Sequence, residues 1–210
     1  MTMRHRGRTA TIRPSHIASG WLLALPGLAM LGPHVMKVSL GSVSLFAMRM
    51  WVLGGVAMML ALGWTAIPRW SNTSGRFIVA GYVWTVWGIA TILWTPDVGA
   101  GVIEVLAVAF GTVTVLVAAR CARIVANASA VLKAGWLLAF AVAMAIAVWE
   151  VLTGNHLPSS YIDNLPDYVS HVAVVSTFGN PNNFAGFIVL AFPFVYWQIV
   201  SGRGFGRVVG

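Results

Sequence analysis

Six apolar runs, each about twenty residues long and nearly free of charge, constrain this chain more than any other feature: residues 17–36, 45–67, 77–94, 98–119, 131–152 and 182–200. Roughly 20 apolar residues wound as a helix match the hydrocarbon thickness of a bilayer. The runs are continuous and lack the alternation of barrel strands, so helices are the expected spanning elements. The first run is the weakest, with Pro26 inside it and Gly32-Pro33-His34 offering an earlier stop. The expectation is an all-α, polytopic helical membrane protein with about six transmembrane helices. Composition agrees. The 210 residues are 59% hydrophobic and hold thirteen Lys and Arg and five Asp and Glu. A soluble domain of this length would carry roughly 50 charged residues. A soluble enzyme and a disordered chain are excluded, and the single Cys121 excludes a disulfide scaffold.

The net charge of +8 would fit nucleic acid if it were clustered on one surface, but its distribution says otherwise. Arg4, Arg6, Arg8, Arg13, Arg69, Arg76, Arg120, Arg123, Lys133, Arg203 and Arg207 all fall on one side of a six-span topology, leaving Lys37 and Arg49 on the other. Short loops rich in Lys and Arg stay in the cytoplasm. Both termini are therefore expected there, in a multi-pass protein of the cytoplasmic membrane, with no nucleic-acid partner. All five acids, Asp97, Glu104, Glu150, Asp163 and Asp167, fall in or near the outer half. Basic residues at the inner leaflet also favour anionic lipid headgroups.

The expected organisation is a basic cytoplasmic tail (1–16), a transmembrane helical domain (17–200) and a short cytoplasmic segment (201–210). A signal peptide is the weaker reading of the amino end, since no small-x-small cleavage site follows the run cleanly. The connections are short except for the outer segment 153–181. That segment carries Tyr161, Tyr168, two His and two Asp, and is the one place with room for a site facing water. Long loops of this kind are commonly functional.

Residues able to carry chemistry are few. In Ser176–Gly186, Asn180 is placed to cap the sixth helix with Pro181 at its first position. The free N–H groups of that start and its dipole would face an anionic lipid headgroup on the outer side. Asn180, Asn182 and Asn183 are thus candidate substrate contacts, against the plainer reading of a helix cap. Glu104, about 9 Å inside the fourth helix at 1.5 Å per residue, and Arg49, in the first turns of the second, are ionisable groups within the membrane. Such groups are functional candidates by default, weighed against snorkelling or pairing to hold two helices together. His156 and His171 are weak candidates for a catalytic base. No Cys, His or acid spacing matches a metal site, and no glycine-rich phosphate loop is present; neither metal nor cofactor is expected.

The stretch Thr177-Phe178-Gly179-Asn180-Pro181-Asn182-Asn183-Phe184-Ala185, with the apolar run and Pro193 after it, resembles the signature of the O-antigen ligase and polymerase superfamily. That family includes lipopolysaccharide O-antigen ligases, O-antigen polymerases and teichuronic-acid polymerases. Leu93-Trp94-Thr95-Pro96-Asp97 is similar to its short outer turn between the third and fourth helices, and Trp149–Ser159 to the segment leading from the fifth helix toward Asn-Pro-Asn. The resemblance implies the amino-terminal part of a membrane fold like that of C-type glycosyltransferases. It also implies transfer or polymerisation of a glycan carried on polyprenyl pyrophosphate, on the outer face of the membrane. The acceptor would be a glycan, lipid or wall polymer. Many members carry an Arg several residues before Asn-Pro-Asn, where this chain has Ala173 with His171 nearby. Members also continue into further helices and a large outer loop bearing a catalytic His. The expectation is therefore an amino-terminal half, inactive alone. A transporter or flippase for an anionic or lipid-linked solute is the alternative, favoured by Glu104, Arg49 and the broken first run. Against it stands the lack of paired repeats. A non-catalytic scaffold is a third reading, and would have no need of the polar outer loop.

Overall fold

The structure, a computed structural model, describes residues 13–31, 38–40, 43–63, 73–157 and 174–201. Among the described residues six helices follow in chain order: α1 (Pro14–Met30), α2 (Ala47–Ala61), α3 (Thr73–Thr91), α4 (Val98–Ile124), α5 (Ala128–Thr153) and α6 (Pro181–Val200). Single 3-10 turns sit at Ile92–Trp94, closing α3, and at Ser176–Phe178, ahead of α6. A short antiparallel hairpin, β1 (Val38–Leu40) and β2 (Val43–Leu45), separates α1 from α2 in the chain, with Ser39 opposite Ser44. Among the described residues four helical stretches, Gly75–Trp94, Val98–Ile124, Ala128–Thr153 and Pro181–Val200, are long and apolar enough to cross a membrane. The chain is a polytopic helical membrane protein.

Helix limits differ from the apolar runs where local chemistry overrides hydropathy. α1 starts at Pro14, whose ring suits a first helical position, and ends at Met30 before Gly32-Pro33. Leu45, expected in the second helix, belongs to β2. α4 runs past its apolar core through Arg120 and Arg123 to Ile124, because backbone hydrogen bonding does not stop at the edge of the hydrocarbon. Asn127, in the left-handed region at φ 61°, then turns the chain into α5. Residues 1–12 of the basic tail, 202–210 of the carboxy-terminal segment and 158–173 of the long loop, His171 included, lie outside the described residues.

Lipid is as apolar as leucine, so hydropathy alone cannot pull membrane helices together; small residues that admit close contact do. On α5, Gly135, Ala139, Ala143 and Ala147 recur every four residues and form a buried stripe. A Cβ on Gly135 would come within 2.5 Å of the Leu23 carbonyl oxygen, so only glycine lets α1 approach here. Pro26 is buried at the same crossing. It deprives α1 of one internal hydrogen bond, yet the helix continues, as membrane helices do where neighbours cover the freed groups. Met30 packs with Ala139, Ala143 and Ala147 of α5 and with Phe178, Phe184 and Phe187. A second core joins Ala18, Trp21 and Leu22 of α1 to Val52 of α2 and Val117 and Cys121 of α4. There the Trp21 Nε1–H donates to the Trp51 carbonyl at 3.2 Å and the Trp51 Nε1–H to the Trp21 carbonyl at 3.3 Å.

α1 and α5 run the same way, since Leu23 meets Gly135 while Met30 packs with Ala143 seven and eight residues on. The end of α1, the end of α5 and the start of α6 therefore meet at one end of the bundle, the upper end. α4 ends beside the beginning of α1, where Cys121 packs near Ala18, which puts the turn between α3 and α4 at the upper end too. α3 lies at the margin and packs chiefly on α4, with Gly81 against Thr112 and Gly88 against Val105.

Candidate functional site

The upper end of α5 is built around one carboxylate. Glu150 follows Ala147 by three residues, so it continues the small-residue stripe into the protein rather than toward lipid. Its side chain is wholly shielded. A carboxyl group in such a place needs partners, and it has them on both oxygens. Oε2 accepts from the backbone N–H of Val175 at 3.0 Å and of Ser176 at 2.8 Å. Oε1 lies 3.3 Å from Nδ1 of His156.

The local chain geometry explains these meetings. α5 closes at Gly154, left-handed at φ 66°, whose N–H donates to the Glu150 carbonyl at 2.8 Å. Glycine meets no steric penalty there. The reversal carries His156 back onto the last turn of its own helix. On the other side, Ser176 takes φ 51°, an uncommon conformation for a residue with a side chain. Its hydroxyl donates to the Ala143 carbonyl at 2.9 Å. Thr177 donates to the carbonyl of Met30 at 2.6 Å, satisfying one of the acceptors left open at the end of α1. Three helices are thereby tied to one five-residue segment, 175–179.

α6 starts directly from that segment. Asn180 caps it, Oδ1 accepting from the Asn182 N–H at 2.8 Å, with Pro181 at the first position. Beneath the cap, Phe178 packs against Phe184 and Phe187, ring centroids 6.0 and 5.1 Å away. Trp136 of α5 stacks on Phe187 and Phe194 at 5.7 and 5.3 Å. These rings hold the first turns of α6 against α5, while Asn182 and Asn183 remain exposed. A cleft of about 300 Å³ with only apolar lining, Val151, Leu152, Val174 and Phe184 among it, opens beside this corner.

The structure gathers His156, Asn180 and Asn182 around the same corner and leaves Asn183 on its exposed surface. Arg49 lies elsewhere, on the first turn of α2 with its guanidinium 4.6 Å from the centre of the Phe46 ring. Glu104 is exposed in a groove between α3 and α4. No ion pair joins Glu104 to Arg49 among the described residues, so the alternative of a pair holding two helices together does not apply. Reading the sequence missed Glu150, Ser176 and Thr177. The signal for Glu150 was present: it stands on the face marked by Gly135, Ala139, Ala143 and Ala147. For Ser176 and Thr177 no local pattern announces the role.

The arrangement can hold a helix start rigidly at a membrane boundary. It presents two exposed carboxamides and the Asn183 N–H on that surface, since Pro181 has no N–H and those of Asn182 and Phe184 donate to Asn180. The helix dipole and these donors favour a negatively charged ligand.

No family model matches the chain, and no solved structure matches it. It is 26% identical over 183 residues to the teichuronic acid biosynthesis protein TuaE of Bacillus subtilis (strain 168), an alignment covering 82% of this chain and 36% of that protein. The chain thus spans about a third of that relative's length, and is a helical membrane protein similar to a protein of teichuronic acid biosynthesis.

Proposed function

We propose that this chain belongs to a cell-envelope polysaccharide assembly protein. In that reading it transfers or polymerises a glycan carried on polyprenyl pyrophosphate at the outer face of the cytoplasmic membrane. The similarity over 183 residues to a teichuronic acid biosynthesis protein carries the reading. The corner at the upper end supports it, being a preorganised helix start beside an apolar cleft, suited to a lipid with an anionic head. The acceptor hydroxyl attacks the anomeric carbon of the donor sugar. The bond from that carbon to the pyrophosphate oxygen breaks, polyprenyl pyrophosphate leaves with the electron pair, and the hydroxyl proton passes to a base. Here the residues of this chain bind and orient. The Asn182 and Asn183 carboxamides donate to the pyrophosphate together with the Asn183 N–H, while Glu150 and His156 are positioning residues that fix where α6 begins. Donors held in place before charge develops stabilise the leaving group without rearranging.

Deleting the gene tests the reading. Lipid-linked glycan should accumulate in the outer leaflet and disappear when the full-length gene is returned. Retention in the inner leaflet would show transport instead, and unchanged lipid-linked glycan would remove the proposal. Orientation is tested separately. Asn155→Cys, at the exposed upper end, should react with an impermeant maleimide in intact cells, and Ala126→Cys, exposed at the lower end, should not. The native Cys121 is buried and gives little background.

A further inference from the structure

The α3–α4 pair carries a second feature with the makings of a site. One face of α3 and its 3-10 turn presents Trp84, Trp87, Gly88, Thr91, Trp94 and Thr95, spaced three and four residues apart. The facing side of α4 presents Gly101, Glu104, Val105 and Val108 in the same helical rhythm. Together they enclose a groove of about 570 Å³, a size common for small-molecule sites. Gly88 keeps its floor low, since a Cβ there would stand 3.0 Å from Val105. The Trp87 and Trp94 rings, 6.3 Å apart with planes at 68°, form an open corner rather than a closed stack. Glu104 makes no hydrogen bond or ion pair among the described residues, although a lone carboxylate near the membrane boundary is costly. Apart from the indole N–H groups of the three tryptophans, the polar side chains of the groove are Glu104, Thr91 and Thr95, which carry acceptor oxygens, and no Lys or Arg lines it.

We infer that this groove binds a neutral, hydroxyl-rich sugar ring of the glycan, its apolar face against the Trp rings and its hydroxyls donating to Glu104, Thr91 and Thr95. The inference rests on the polysaccharide reading above and adds a division of labour. The pyrophosphate is excluded from the α3–α4 groove by the carboxylate and goes to the helix start at α6, while the sugar is read some distance away. Aromatic rings with a single carboxylate discriminate by shape and hydroxyl pattern, which a phosphate contact cannot do.

The test uses the full-length protein in nanodiscs and a panel of neutral mono- to tetrasaccharides built from glucose, galactose, mannose, rhamnose, N-acetylglucosamine and N-acetylgalactosamine. Undecaprenyl pyrophosphate and tetramethylammonium are the comparison probes. At least one neutral sugar should quench tryptophan emission saturably, with affinity lowered about tenfold or more by Glu104→Gln and by Trp87→Ala. Undecaprenyl pyrophosphate binding should be unaffected by either change. Trp87→Phe, which keeps a ring, should recover much of the sugar affinity and separates lost stacking from lost folding. No response to any sugar, or sugar binding indifferent to these variants, overturns the inference. So does a response to tetramethylammonium alone, which would make the groove a cation cage. If the sugars fail while the gene deletion still accumulates lipid-linked glycan in the outer leaflet, the groove is wrong and the polysaccharide reading stands.

Discussion

Two glutamates at the upper end of the bundle have opposite surroundings. Glu150 sits three residues before the end of α5, and Glu104 six residues after the start of α4. The first is sealed among three helices, with two backbone N–H groups and an imidazole on its oxygens. The second is exposed on a two-helix arm beside three tryptophans that are each more than 60% accessible. Residue type and depth along a helix are similar, so neither decides the role. The neighbouring helix does. Where α1 and α6 close over the stripe on α5, a carboxylate becomes part of the scaffold; on the side of α4 turned to α3 it is left exposed among the described residues.

The largest effect should come from Glu150→Ala. It strands the Val175 and Ser176 N–H groups in a dry site, each loss costing about 1–3 kcal/mol. Thermal unfolding in detergent should show a clear drop in Tm, with glycan transfer lost in cells carrying the full-length variant. Glu150→Gln retains an acceptor and should recover much of that stability. An unchanged Tm for the alanine variant would mean that the corner is not built on this carboxylate.

Glycines should divide along the same line. Gly135→Ala drives a Cβ into the Leu23 carbonyl, and overpacking of this kind costs roughly 1–3 kcal/mol. Gly111→Ala on α4 meets nothing within 4 Å and should be neutral or slightly stabilising by the same thermal assay. Equal effects at both positions would erase the distinction between the close α1–α5 crossing and the exposed face of α4.

At the start of α6 the expected change is in rate. Asn182→Ser in the full-length protein should slow transfer about tenfold or more through a lost hydrogen bond to a charged group, at unchanged Tm. Asn180→Ser should be nearly silent, because serine caps a helix about as well as asparagine. Equal turnover for both variants would reduce Asn180-Pro181-Asn182 to a cap. The smallest effect on stability belongs to Glu104→Gln, within about 0.5 kcal/mol as for exposed sites generally. A Tm loss approaching that of Glu150→Ala would show a structural role for Glu104 and break the comparison from the other side.

Much of the architecture is legible in the chain itself. The apolar runs mark where helices form, and Asn180-Pro181 marks the start of α6 to within a residue. The ends of α1 and the presence of β2 were less legible, because a proline and a short Val-Ser-Leu segment outweigh hydropathy there. His156 reads as one polar residue among many in a loop, and nothing within a few residues of it reveals that Gly154 turns it back onto Glu150.

What the sequence determined by itself is where helices form and how α6 is capped, since those depend on composition, hydrogen bonds and torsions within a few residues. Only the tertiary structure decided which face of each helix turns inward. A helix apolar all round carries no such instruction when its solvent is hydrocarbon, apart from the spacing of small residues such as Gly135 and Ala139. The bonds that define the corner span 25 residues from Glu150 to Val175 and 147 from Met30 to Thr177. They form because α1, α5 and α6 converge, and that convergence comes from close packing at sites such as Gly135 rather than from any local preference of the residues that are joined.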